Sequence, residues 1–153
     1  MLDNCPVTLE EIKNHLHILS EDFDQTLWLN LRSATAAAES YIGRDIVRRV
    51  VGMSMPFSKT FTVADYTTVE NVTVDGEDVE YTQVNNKVTL LVDNGKVVRC
   101  DVISGWLPEQ CPMDIKMAIM LMAAKYFNNP VDSVEQLPKA STSLLKPFKN
   151  YMI

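Results

Sequence analysis

The sequence predicts an α+β fold: a mainly helical core that carries an inserted antiparallel β meander. Three observations support this. Cys111 to Phe127, CPMDIKMAIMLMAAKYF, is apolar nearly all round, as a helix buried on several sides must be. The first forty residues carry helix caps and helical apolar spacing. Between Lys59 and Ser104, short Val/Thr-rich runs alternate with turn dipeptides. At 153 residues one domain covers the chain, 1–153, with an ordinary 46% apolar content.

The first helix is announced by Thr8 as N-cap and Glu11 three residues on, the reciprocal capping box. Val7 and Ile12 are placed as a hydrophobic staple. Leu9, Ile12, Leu16 and Leu19 form the apolar stripe, which puts the helix end near Ser20. His15 and His17, two apart, fall on different faces and cannot share a metal; both read as partly exposed surface residues. Asp22 or Asp24 caps a second helix running to Ile42, stopped by Gly43. Its stripe is Leu27, Leu31, Ala34, Ala38 and Tyr41, broadened by Trp28 and Ile42. The alanine-rich middle lets another helix approach closely, and Cys111–Phe127 is the candidate. Residues 1–43 thus form an αα-hairpin.

Residues 46–104 are the β insertion. Ile46 to Met55 is a strand or extended connector closed by Pro56. Thr60–Val63, Val69–Val74, Val79–Val84, Val88–Val92 and Val97–Ile103 are strands. Asp75-Gly76 and Asn94-Gly95 signal two-residue hairpins, and Asn85-Asn86 makes a third turn. The central helix, 111–128, opens with Pro112 in its first turn and Asp114 near the positive end of its dipole. Asn128-Asn129-Pro130 stops it, and a loop containing Leu137-Pro138 follows. The C-terminal arm, 137–153, holds a short helix capped by Ser141 or Thr142, which kinks or breaks near Lys146 because of Pro147.

Composition limits the function. Fourteen basic against 20 acidic side chains give a net charge of −6, which weighs against a nucleic-acid-binding module. Cys5, Cys100 and Cys111 are odd in number and form no C-x-x-C pair, so neither a disulfide framework nor a zinc site is expected, and a reducing cytosol suits the chain. The N-terminus has no secretory signal pattern, and the apolar run is too short to span a bilayer. No phosphate-cradling glycine loop, H-E-x-x-H or G-x-S-x-G motif is present. The expectation is therefore no catalytic residue, no cofactor and no metal. Acidic pairs such as Glu10/Glu11 sit where capping explains them. Arg44, Arg48 and Arg49 form the one dense basic cluster, a solvated or subunit-bridging face by default and a phosphate contact otherwise. Met113, Met117, Met120 and Met122 suit core filling, or an adaptable contact surface.

The ordered set of segments resembles the phage head–tail connector (adaptor, or head-completion) proteins of tailed bacteriophages and prophages. VTLEEIKNHLHI, the alanine-rich helix ending in ESYIGRDI, ISGW with CPMDIKMAIMLMAAKYFNNP, and LPKASTSLLKPFKNY carry the resemblance over nearly the whole chain. It implies a structural virion protein, made in the host bacterial cytoplasm, that forms a ring of about a dozen copies below the portal. The ring connects capsid to tail or stopper protein, and DNA passes through its lumen without sequence-specific binding. An acidic wall suits that passage, since like charge keeps phosphates off it. By the same carry-over Leu145, Phe148, Tyr151 and Met152 are the portal-contact candidates, and Arg44, Arg48 and Arg49 are subunit-interface or DNA-channel candidates. The alternative is a small cytoplasmic interaction module or ligand-binding subunit, whose β meander offers Tyr66, Tyr81, Arg99 and Asp101 as pocket lining.

Overall fold

A computed structural model describes residues 4–129 and 137–151. The chain forms two compact units, one made of residues 1–47 and 106–153, the other of residues 48–105. The first is helical: α1 (Leu9–Leu16), α2 (Asp24–Ile42), α3 (Met113–Asn128) and α4 (Lys139–Leu145). The second is the β insertion. The α+β class, with four helices and antiparallel sheets among the described residues, is the one predicted.

Helix α1 begins as a capping box. The Glu11 N–H donates to Thr8 Oγ1 at 3.1 Å, and the Thr8 N–H donates to Glu11 Oε2 at 2.8 Å. It ends at Leu16, four residues before the expected stop, because His17 turns left-handed (φ 57°). The His17 and Ile18 N–H groups then close onto the Asn14 and Lys13 carbonyls. Leu19 leaves the stripe and is 97% exposed. Lys13 Nζ reaches Asp24 at 2.7 Å, tying α1 to the start of α2. Neither Asp22 nor Asp24 caps α2: Phe23 occupies the cap position without a side-chain bond, Asp22 joins Ser20 in the loop, and Asp24 lies in the first turn. Gly43 ends α2 with φ 70°, a conformation in which a Cβ is strained.

Helices α2 and α3 pack together in the core of this unit. Leu27, Leu31, Ala34, Ala38 and Ile42 of α2 share one cluster with Ile115, Ala118, Ile119, Met122 and Ala123 of α3. Small residues on α2 let the longer side chains of α3 fill the space between the helices. The wrap is incomplete, since Met113 and Met117 are exposed at 65% and 36%. The α4 helix starts at Lys139 behind Pro138 rather than at a Ser141 or Thr142 cap. Ser141 is instead buried, its hydroxyl donating to the Ala118 carbonyl at 3.1 Å and so anchoring α4 to α3. At Lys146 the α-helix gives way to a 3-10 turn containing Pro147.

The β unit contains β1 (Arg49–Pro56), β2 (Thr60–Thr62), β3 (Thr68–Val74), β4 (Glu77–Asp78), β5 (Tyr81–Val84), β6 (Lys87–Leu90) and β7 (Val97–Ser104). It is antiparallel as predicted, but its strands divide into two sheets, β1-β7-β3-β4 and β2-β6-β5, rather than running as one meander. Both contribute to one core of Phe61, Val63, Val69, Val72, Val74, Val88, Leu90, Val98 and Cys100. Asp75-Gly76 makes the β3–β4 hairpin with both residues at positive φ, and Asn85 turns β5 into β6. The expected hairpin at Asn94-Gly95 does not form, since β6 and β7 belong to different sheets. Gly95 meets a steric demand instead. A Cβ there would lie 2.3 Å from Val74 Cγ1 and 3.0 Å from Phe57 Cδ2. A bulge in β3 between Glu70 and Thr73 carries Asn71 at φ 53°.

Candidate assembly surfaces

The C-terminal arm folds back onto the end of α2. The Asn150 N–H donates to the Ile42 carbonyl at 2.6 Å, satisfying one of the acceptors a helix end leaves open. Phe148 stacks edge-on against Trp106 with ring centroids 6.4 Å apart, and the Arg44 guanidinium lies 4.5 Å over the Trp106 ring. Lys149 Nζ sits over Tyr41 at 4.7 Å and Tyr151 at 5.9 Å. Basic and aromatic side chains thus interleave along the arm, each cation held on a ring face. Glu39 Oε1 accepts the N–H groups of Ile46 at 2.9 Å and Val47 at 3.1 Å, which fixes the chain leaving α2.

The four portal-contact candidates have different fates. Leu145 is fully buried in the helical core, where it serves its own subunit and presents nothing to a partner. The amphipathic spacing of the arm marks its apolar side chains but cannot tell an internal partner from an external one. Phe148 is half-buried against Trp106, and Tyr151 is 64% exposed. Met152 lies outside the described residues. The arginine cluster spans the unit boundary: Arg44 belongs to the helical unit on Trp106, while half-buried Arg48 and exposed Arg49 open the β unit.

Glu11 does more than the capping box requires. Its Oε1 also receives Lys116 Nζ of α3 at 2.8 Å, so one carboxylate closes α1 and ties it to α3. Partial burial pushes the Glu11 carboxyl up, but the Lys116 ammonium and the Thr8 hydrogen bonds outweigh it and hold it below the usual value of 4.5. Stability from this depressed acid is present above its unfolded pKa and is lost as pH falls through the folded one. Acid unfolding between about pH 5 and about pH 3 should therefore be less steep in Glu11→Gln, as read from urea midpoints at each pH. Equal slopes for the two proteins would remove the Lys116–Glu11 tie from the account. Asp93, also lowered by Lys59, is untouched by that change and serves as a constant background.

The cysteines are free. Burial pushes the Cys111 thiol up to about 11, with Lys116 opposing and Cys5 adding, and burial raises Cys100 as well. Thiols held protonated in this way are poor nucleophiles and metal ligands. Among the described residues no group of three His, Cys, Asp or Glu side chains is placed to hold a metal, and no helix is long and apolar enough to cross a membrane.

The pocket expected of a ligand-binding meander does not assemble from the four residues named for it. Arg99 and Asp101 line a shallow depression with Gly52, Ser54 and Asn71, where Asn71 Nδ2 donates to Asp101 at 2.9 Å. Tyr81 spends its hydroxyl on the Val69 carbonyl at 2.6 Å, and Tyr66 is exposed. The features that remain are surfaces: the apolar side chains Leu19, Phe23, Leu29, Val50, Val51, Met113 and Tyr151, and the charged edges of the β unit.

The fold defines a class, an α+β chain in which a four-helix unit carries an inserted antiparallel β unit among the described residues. Within that class, the sequence profile of the phage gp6-like head-tail connector proteins matches residues 6–146, and the chain belongs to that family. Solved structures share the fold at low identity. One is from the neck of an empty gene transfer agent (GTA) particle computed with C6 symmetry, at 19% identity and TM-score 0.67, covering 97% of this chain and 91% of that one. Another is from the neck of a native particle computed with C12 symmetry, at 20% and 0.65, covering 95% and 89%. A third, from the virion of the native particle, stands at 18% and 0.65, covering 97% and 91%. No curated protein sequence matches the chain.

Proposed function

We propose that this protein is a non-catalytic connector that assembles as a ring at the head–tail junction of a phage or phage-like particle. The ring sits below the portal, receives the tail or its stopper protein, and continues the DNA channel. The observation that carries this reading is membership of the head–tail connector family across residues 6–146. The net charge of −6 agrees with it, because a wall of the same sign as DNA lets phosphates pass without capture. Tyr151, with the accessible side of Phe148, is the part of the arm offered to the portal. Arg48 and Arg49 border the contact between subunits, and Arg44 shares the arm's surface.

Deleting the coding region from the parent phage or prophage tests the role. Heads without tails, beside free tails, are the expected product by electron microscopy, restored by supplying the protein in trans. Normal tailed, infectious particles from the deletion strain would refute the reading.

A further inference from the structure

The outer strands of the four-stranded sheet are β1 and β4, and their edges differ in kind. The Phe57 N–H donates to the Lys96 carbonyl at 2.9 Å, one step beyond the pair Pro56–Val97. Antiparallel ladders alternate bonded and non-bonded pairs. Met55, Met53, Val51 and Arg49 therefore direct their main-chain groups at β7. Val50, Gly52 and Ser54 direct theirs away from the sheet, and Pro56 adds a carbonyl.

The edges of the three-stranded sheet are partly covered by side chains. In the short β2, Thr60 and Thr62 are the outward positions, and the Ser58 hydroxyl donates to the Thr60 carbonyl at 2.6 Å. In β5, Gln83 Oε1 accepts the Val69 N–H at 3.0 Å and Gln83 Nε2 donates to the Thr67 carbonyl at 2.9 Å, binding that edge to β3. Among the described residues, no side-chain hydrogen bond covers the outward main-chain groups of Val50, Gly52 and Ser54 in β1. The strand is eight residues long, it carries no charge from Val50 to Met55, and Val50 and Val51 are 52% and 62% exposed. An apolar edge of this length normally pairs or is blunted by charge. Beside it, Arg48 and Arg49 make its start basic. The opposite edge is acidic: Glu77 and Asp78 form β4, Glu80 follows, and all three are exposed. The two-residue turn at Asp75-Gly76 makes Val74–Glu77 a bonded pair, so Asp78 directs its main-chain groups outward.

We propose that the basic β1 edge of one copy receives the acidic β4 edge of a second copy, joining neighbouring subunits sheet to sheet. The contact uses two different surfaces, so it is heterologous and repeats around a ring, whereas β1 on β1 closes as a pair and stops. Opposite charge selects this pairing, and like charge opposes β4 on β4. The proposal rests on the ring reading above and names the surfaces that make the ring.

The test is a charge exchange in the full chain. Arg48→Glu/Arg49→Glu and Glu77→Lys/Asp78→Lys are each expected to raise the concentration for half-assembly at least about tenfold, and the four changes together to restore it. Urea midpoints of the isolated subunits check that each variant folds. Assembly of either variant at the wild-type concentration, or no rescue in the combination, overturns the β1–β4 contact while the wild-type ring still stands. Failure of the wild type to assemble alone or with portal overturns the ring reading itself.

Discussion

Replacing Ile119 by alanine is expected to cost the helical unit about 2–5 kcal/mol of stability, toward the upper end of that range. Ile119 is fully buried on α3, in the cluster that includes Ala34 and Ala38 of α2. Truncation removes three carbons from a close-packed site, and alanine neighbours have no side chain that can swing into the gap. The cavity therefore persists, and its cost adds to the lost transfer energy. Met117→Ala on the same helix is the control. Its side chain is partly exposed, and its removal should change stability by no more than about 0.5 kcal/mol. Urea unfolding followed by far-UV circular dichroism measures both. Equal losses at the two positions would show that α3 is not the packed axis of this unit.

The second large effect is expected in the β unit. Gly95→Ala should destabilise it by about 1–3 kcal/mol or more, because the new methyl would stand 2.3 Å from Val74 Cγ1. Val74 is a short, stiff, buried side chain that cannot rotate aside without disturbing its neighbours. Gly76→Ala separates this steric demand from backbone conformation. At Gly76 nothing lies within 4 Å of an added Cβ, and only the positive φ of 89° is strained, a cost of about 1–2 kcal/mol. In Gly95→Ala the damage should also appear in the near-ultraviolet signal of the Phe57 surroundings and in faster hydrogen exchange of β3 and β7. Wild-type exchange rates in both strands would place the Gly95 backbone further from Val74 than described.

These two glycine positions show which features could be read from sequence. Asp75-Gly76 was legible because a two-residue hairpin is local: its turn residues and its partner strands lie within a few positions. Asn94-Gly95 has the same signature, yet its glycine answers to Val74 and Phe57, which are distant in sequence. The capping box of α1 was legible for the local reason, but the second use of Glu11, on Lys116, joins residues over a hundred positions apart. The Val/Thr runs located most strands to within two or three residues. Their division into two sheets depended on pairings such as β1 with β7, which no periodicity records. The helix end at Leu16 was missed because Leu19 continues the helical spacing, while His17 reverses the backbone before reaching it. On the surface the limit is similar. Apolar spacing marked Leu145, Phe148 and Tyr151 alike, and only the fold separates the buried first from the exposed last.

The proposed function depends on this chain closing into a ring on a portal. Light scattering coupled to size exclusion, on the purified protein with and without its portal, measures it most directly. A single species of about a dozen subunits, formed alone at high concentration or on the portal, is the expected result. A protein that stays monomeric across all concentrations and elutes apart from the portal would contradict it.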